Sequence, residues 1–164
     1  VTTPRACATA GDHRPAELRC FHVGSGLGRY VRHVSFERLG REQFISLTTF
    51  LRSGEPVSTP VWVAPDGAAL LVTTQLSTGK VKRLRHTSQV ELRPCSRLGK
   101  VAAGVAPVAG IAEIREDERS IRDLNDAMVT KYGLMFRLVL LAERVVRRRG
   151  PGRIVLRITE PTAT

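Results

Sequence analysis

The sequence predicts a mainly β fold, a small closed barrel of six antiparallel strands with added helices. Six short segments are rich in β-branched and aromatic residues, and tight-turn residues separate the first three of them. A helix after the third strand and a helical pair before the last strand account for the remaining periodic segments, an order that suits a small barrel. The βαβ alternation of a dinucleotide-binding fold is missing from the sequence. The glycines within residues 24–28 follow no predicted strand and open no helix, so they do not indicate a nucleotide loop.

The strands are placed by their β-forming residues and by the turns between them. The first three are predicted as a meander at 44–51, 57–64 and 68–74. Two turn sequences join them, Ser53-Gly54-Glu55-Pro56 and Pro65-Asp66-Gly67. The last three strands are predicted at 89–95, 105–115 and 153–159.

Helical periodicity appears in three places. Ser35 is expected to cap a short helix that ends near residue 41. Ser77-Thr78-Gly79 opens a second helix, which runs to about residue 86 with Val81 and Leu84 facing inward. Glu116-Asp117-Glu118 starts a third, because acidic residues suit the positive end of the helix dipole.

The third helix is interrupted at Gly133 and resumes over 134–149, where leucines and valines alternate with arginines. Leu134, Leu138 and Leu141 share a helical face there. Such a stretch suits the surface of an anionic membrane, or it packs on the barrel or on a second subunit. Packing is the expectation, with the terminal arginines complementing the helix C-terminus.

Length and composition favour one folded domain with an N-terminal extension. Residues 1–33 hold two of the three cysteines and three of the four histidines without sustained periodicity, so they are expected to be irregular or disordered. Residues 34–164 form the predicted barrel domain. The three cysteines show no metal-binding or disulfide spacing, which favours a reducing, cytoplasmic location and predicts no metal site.

The net charge of +11 favours anionic partners: phosphates, polyglutamate, nucleic acid or an anionic membrane. A solvated surface in an arginine-rich proteome explains much of the charge equally well. Few aromatic residues are available for base stacking, and no recognition helix is apparent, which disfavours a specific nucleic-acid-binding module.

One candidate site is a predicted anion-binding cluster at the second helix. Lys80 and Arg83 share a helical face, and Ser77 and Gly79 lie at the N-terminus of that helix, where free N–H groups attract anions. Thr73 and Thr74, which end the third strand, are expected to point their hydroxyls toward the same place. The alternative from the residues alone is a solvated basic helix without a ligand.

The second candidate site is the segment Thr59-Pro60-Val61-Trp62 in the second strand. Pro60 has no N–H group, so it indicates an open or edge position in the strand ladder, where backbone groups can face a ligand. Trp62 is expected either beside that ligand or in the core. No catalytic triad, carboxylate pair or metal-ligand spacing accompanies these residues, and His86 is expected to be an exposed capping residue.

Three motifs resemble the pyridoxamine 5′-phosphate oxidase-like superfamily of split β-barrels. They are Gly54-Glu55-Pro56-Val57-Ser58-Thr59-Pro60-Val61-Trp62, Gly79-Lys80-Val81-Lys82-Arg83-Leu84 and Lys131-Tyr132-Gly133. Within that superfamily the likeness is to the actinobacterial branch that binds the deazaflavin coenzyme F420. The resemblance implies an FMN-binding-like split barrel that forms homodimers, with cofactor sites at the subunit interface.

The resemblance also implies an activity, an F420-dependent oxidoreductase that reduces an unsaturated organic substrate. In similar proteins the basic helix grips the cofactor phosphate, and the Thr59–Trp62 strand lies along the flat ring. Chemistry of this kind needs placement and electrostatics from the protein, because the cofactor itself carries the hydride. Two alternatives remain, an FMN-binding protein on the same barrel and a non-enzymatic, basic nucleic-acid-binding module.

Overall fold

The computed structural model describes residues 32–138, 141 and 152–161. The described helices and strands, in chain order, are α1 (Phe36–Arg41), β1 (Phe44–Phe50), β2 (Pro56–Asp66), β3 (Ala69–Gln75), α2 (Gly79–Leu84), β4 (Gln89–Pro94), β5 (Val108–Arg115), α3 (Glu118–Tyr132) and β6 (Arg153–Thr159). The six strands close into an antiparallel barrel in the order β1-β2-β3-β6-β5-β4. The predicted fold class is therefore confirmed.

Two strand boundaries differ from the prediction by two residues or more. β2 extends through Pro65 and Asp66, which were expected in the turn, because Asp66 pairs with Ala69 and leaves a two-residue loop. Gly67 enters that loop with φ +58°, a left-handed conformation that glycine adopts without strain. β5 begins at Val108 rather than at Val105, which forms only an isolated bridge with Arg32.

The barrel interior is an apolar core closed by a short helix at each end. Phe36 and Leu39 of α1 enter it beside the start of β1, and Ser35 caps this helix as predicted, its hydroxyl accepting from Arg38 N at 3.3 Å. Val81 and Leu84 of α2 enter it from the opposite end and are buried, so the inward face predicted for this helix is confirmed.

A second apolar cluster lies outside the barrel, under α3. Leu124 and Met128 of that helix pack on Leu71 of β3 and Val155 of β6. Asp117 is the N-cap, accepting from the backbone N–H and the hydroxyl of Ser120, both at 2.8 Å. The acidic start predicted for this helix is thus confirmed, with Asp117 as the capping residue.

The helical segment after Gly133 differs from the expected packing. Phe136 is buried against the outer cluster, whereas Leu134, Leu138 and Leu141 are exposed. This leucine face therefore does not pack on the barrel, and its packing on a second subunit stays a prediction. Gly133 has φ +57° and ends α3, so the helical register before it does not continue through it. Of the stretch predicted over 134–149, residues 139, 140 and 142–149 lie outside the described residues.

The N-terminal extension also lies outside the described residues, apart from Arg32 and His33. Arg32 is hydrogen-bonded to the barrel, its N–H donating to Gly104 O at 2.7 Å. In the part of the chain that the structure describes, no helix is long and apolar enough to cross a membrane.

Candidate functional site

The barrel is split between β2 and β3. β2 pairs with β1 from Pro56 to Trp62, but it pairs with β3 only from Val63 to Asp66. Beyond Val72, β3 pairs with β6 alone. In the described part of the chain, the second edge of β2 over Pro56–Trp62 therefore lacks a strand partner, which is the open ladder that Pro60 predicted.

Consecutive residues along the open part of β2 face opposite sides of the barrel wall. Val61 is buried in the inner core, and Thr59 shares its face because strand side chains alternate. The Thr59 hydroxyl is buried and has no hydrogen-bond partner among the described residues. Buried polar groups are normally paired, so this hydroxyl is an unused hydrogen-bonding group next to the open edge.

Trp62 points outward and packs under α3. Its ring stacks on Tyr132, with the centroids 5.4 Å apart and an interplanar angle of 21°, and it lies 5.9 Å from the ring of Phe136. Phe44 contacts it from the other side at 6.1 Å. These contacts make Trp62 part of the second apolar cluster, under α3. The side chain of Trp62 is nevertheless partly exposed beside the split.

The two threonines at the end of β3 do not point the same way. Thr73 Oγ1 accepts from Arg153 Nη2 at 2.8 Å on the outer face, whereas Thr74 Oγ1 lies 3.2 Å from Thr78 Oγ1 on the inner face. The expectation that both hydroxyls converge is therefore wrong, because neighbouring strand residues face opposite sides. Only Thr74 is on the α2 side of the wall.

Lys80 and Arg83 form the cationic part of α2. Arg83 Nε donates to the buried Thr49 hydroxyl at 2.7 Å, which fixes this guanidinium on the end of β1. Lys80 is half-buried and has no hydrogen-bond or ion-pair partner among the described residues. Burial lowers the pKa of Lys80, and the neighbouring charge of Arg83 lowers it further.

The start of α2 leaves its first turn without a side-chain cap. Thr78 is the N-cap, but its hydroxyl donates to Gln75 O at 2.9 Å and makes no capping bond. Ser77 beside it is exposed. At Gly79 a Cβ atom would lie 3.0 Å from Arg83 Nη1, so the absent side chain leaves room for the guanidinium. The helix terminus thus presents free donors beside two cations.

A cavity of about 400 Å³ continues the positive surface past Arg83. It is lined by residues of the β1–β2 turn and of α2, namely Leu51, Arg52, Ser53, Lys82, Arg83 and His86. Arg52 Nε donates to His86 Nε2 at 3.1 Å, and His86 is exposed. Among the residues that the structure describes, no acidic side chain lines this cavity.

Lys131 and Tyr132 hold the end of α3 against β2 through hydrogen bonds to backbone carbonyls, and we call this pair the clamp. The residue patterns in the sequence did not predict it. Lys131 Nζ donates to three backbone carbonyls, Gly40 O at 2.7 Å, Glu42 O at 2.5 Å and Val63 O at 2.8 Å. Tyr132 donates to Val63 O at 2.8 Å. The clamp therefore ties the end of α3 to β2, one residue past the open edge.

Burial shifts both groups of this clamp. It lowers the pKa of Lys131 to about 8, although the nearby Glu42 carboxylate acts in the opposite direction. It raises the pKa of Tyr132 to about 12, with the hydrogen bond to Val63 O acting the other way. The only sequence signal for this feature was the Lys131-Tyr132-Gly133 motif.

Comparison with known families agrees with this architecture. The sequence profile of the pyridoxamine 5′-phosphate oxidase family matches residues 33–160, which covers all six strands and the split. The chain belongs to the pyridoxamine 5′-phosphate oxidase family. No curated protein matches the chain.

Several solved structures share the fold at low sequence identity. A conserved hypothetical protein from Mycobacterium tuberculosis is 17% identical, has a TM-score of 0.54, and matches over 76% of this chain and 77% of its own. The heme storage protein HutZ from Vibrio cholerae is 12% identical, has a TM-score of 0.54, and matches over 77% and 88%. An F420 reductase is 20% identical, has a TM-score of 0.48, and matches over 77% and 93%. The first two of these comparisons show the shared fold.

The family implies a flavin-type cofactor, and the described residues fit one. A phosphate needs several donors and a cation that converge from a rigid frame. Lys80, Arg83 and the uncapped start of α2 supply both at one end of the barrel. The open edge of β2 and the unpartnered Thr59 hydroxyl supply unused polar groups beside the split.

Proposed function

We propose that this chain is an F420-dependent oxidoreductase, which moves a hydride between the reduced deazaflavin and an unsaturated organic substrate. The proposal rests mainly on the surroundings of Lys80. Its ammonium group is half-buried, lies near the charge of Arg83 and has no acidic partner among the described residues. Burying an unpaired charge is unfavourable unless a counter-charge reaches it. A cofactor phosphate provides that counter-charge.

Three groups of residues would hold the cofactor. Lys80 and Arg83 bind its phosphate, assisted by Ser77 and by the N–H groups around Gly79. Thr59 to Trp62 support its ring with the backbone groups of the open β2 edge. When bound, the deazaflavin supplies or accepts the hydride.

The remaining task of the protein is to orient these contacts and to exclude water. Arg83 is already oriented by its bond to Thr49, and β2 is fixed beside the split by Lys131 and Tyr132 through Val63 O. Such pre-positioned groups need no rearrangement when the cofactor binds. No side chain of the site is assigned a proton-transfer role.

The extended positive surface favours the deazaflavin over FMN. FMN ends at one phosphate, whereas F420 continues into an acidic glutamate tail. The cationic surface likewise continues from Arg83 to the cavity lined by Arg52, Lys82 and His86. These groups are exposed, so each one contributes little by itself, and together they attract a polyanion.

We further propose that the active form is a homodimer. The second edge of β2 and part of Trp62 remain uncovered in one chain. A second subunit over the split would cover them and would enclose the cofactor against water. Light scattering that finds a stable monomer at micromolar concentration would count against the dimer.

A spectrum and a titration of purified protein test the cofactor assignment. The proposal predicts a colourless protein that quenches the fluorescence of added F420. When reduced F420 and an unsaturated acceptor substrate are supplied together, the protein should accelerate oxidation of the reduced cofactor. A yellow protein with flavin fluorescence would assign FMN instead. Failure to bind either cofactor would reject both assignments.

A further inference from the structure

The helical segment after Gly133 presents an exposed apolar face. Leu134, Met135, Leu138 and Leu141 expose 71%, 58%, 57% and 59% of their surface. Only two other large apolar residues in the described part of the chain are exposed, Leu51 and Leu98. The exposed apolar surface is therefore concentrated here, and patches of this kind mark interaction sites.

The orientation of this face is fixed by Phe136. Its side chain is 1% exposed and packs between Trp62 and the guanidinium of Arg153, which lies 5.6 Å from the ring. Phe136 is about 200° around the helix from Leu134, whereas Leu138 and Leu141 follow Leu134 at one-turn spacing. The buried Phe136 thus turns the leucine face away from the barrel.

The charged residues in the sequence of this segment are mostly positive. Arg137 is exposed and has no acidic partner among the described residues. The sequence from 134 to 149 contains the arginines Arg137, Arg144, Arg147, Arg148 and Arg149 and only one acid, Glu143. A second copy of this face would bring like charges together, whereas an anionic surface complements both the arginines and the net charge of +11.

We propose that the face formed by Leu134, Met135, Leu138 and Leu141 docks on an anionic lipid bilayer. The helix would lie in the plane of the interface, with its leucines among the upper acyl chains and Arg137 at the headgroups, as interfacial amphipathic helices do. The leucine face lies on the side of the helix opposite Phe136, which packs on Trp62 of the proposed cofactor site, so the two surfaces are distinct.

Vesicle flotation of the full chain tests this docking surface. The wild-type protein should float with vesicles of phosphatidylglycerol and phosphatidylcholine but not with pure phosphatidylcholine vesicles, and added salt should weaken the binding. Leu134→Gln and Leu138→Gln should each lower vesicle partitioning about tenfold, because each removes apolar surface that the bilayer would bury. Thermal midpoints should not change, since both side chains are exposed.

Leu98→Gln is the matched control, because Leu98 is 93% exposed on a loop outside this helix. It should leave vesicle binding unchanged. An equal loss with Leu98→Gln, equal binding to both kinds of vesicle, or no binding to either would overturn the proposal. So would light scattering in which Leu138→Gln dissociates a dimer while vesicle binding stays intact, since the face would then belong to a second copy.

Discussion

Burial lowers the pKa of both Lys80 and Lys131, but the protein surrounds the two ammonium groups in opposite ways. Lys131 donates to three backbone carbonyls drawn from α1, the residues after it, and β2. Lys80 has no partner among the described residues and lies beside Arg83. The ammonium group of Lys131 is therefore hydrogen-bonded within the protein, whereas that of Lys80 is available to bind a ligand.

The contrast separates structural groups from binding groups. A lysine that donates hydrogen bonds to three carbonyls stabilises the fold, and its contact with a ligand would add little binding energy. An unpaired cation next to another cation is unfavourable in the free protein and becomes favourable when an anion arrives. The same substitution should therefore have different consequences at the two positions.

The largest expected effect is on stability at the clamp. Lys131→Met should lower the free energy of unfolding by roughly 2–4 kcal/mol, because it removes the donor shared by three carbonyls. Lys80→Met should change it by less than about 0.5 kcal/mol, since no partner is lost. Chemical denaturation of the two variants makes the comparison, and equal losses would remove the distinction between these lysines.

The next effect is on cofactor affinity at α2. A charge-assisted hydrogen bond contributes roughly 1.5–3 kcal/mol, so Lys80→Ala should weaken F420 binding by about one to two decades. Lys82→Ala is the control from the same helix. Lys82 is exposed, and exposed pairs contribute roughly 0–1 kcal/mol, so its effect should be much smaller. Fluorescence titration of both variants measures the difference.

A smaller effect is expected at Gly79. The Cβ atom of Gly79→Ala would meet Arg83 Nη1 at 3.0 Å, and the flexible end of that side chain can shift away. Affinity for F420 should fall by roughly threefold as the guanidinium moves, a change of well under one decade. Stability should not fall, because alanine favours a helix more than glycine does. A loss of stability instead of affinity would show that Gly79 serves the fold.

The pH dependence of stability should report on the clamp. Between about pH 8 and 10.5 the unfolded chain retains the Lys131 proton that the folded protein has lost, so the free energy of unfolding should rise with pH. Between pH 10.0 and about 12 the folded protein retains the Tyr132 proton that the unfolded chain loses. The contribution of Tyr132 to the free energy of unfolding should therefore fall as the pH rises. Denaturation across this range should show a rise that Lys131→Met lacks and a fall that Tyr132→Phe lacks.

The features predicted correctly from the sequence depend on local rules. The barrel followed from short β-rich segments and turns, and the inward face of α2 followed from the spacing of Val81 and Leu84. Pro60 indicated an open ladder because its ring removes an N–H group, and the structure has that opening beside it.

The features that were missed depend on contacts distant in sequence. The acceptors of Lys131 are backbone carbonyls 68 to 91 residues away, and carbonyls carry no sequence signature. Thr73 was grouped with Thr74 although strand alternation separates them. The leucine face after Gly133 was expected to pack, because helical spacing shows which residues share a face but not which way that face points.

The proposed contact between Lys80 and the cofactor phosphate is tested most directly by an NMR titration of the lysine side chains with and without F420. The pKa of Lys80 should lie below 10.5 in the free protein and rise when the cofactor binds, because the phosphate stabilises the charged form. If F420 binds and the pKa of Lys80 does not move, Lys80 is not the phosphate ligand, and the proposed site is wrong.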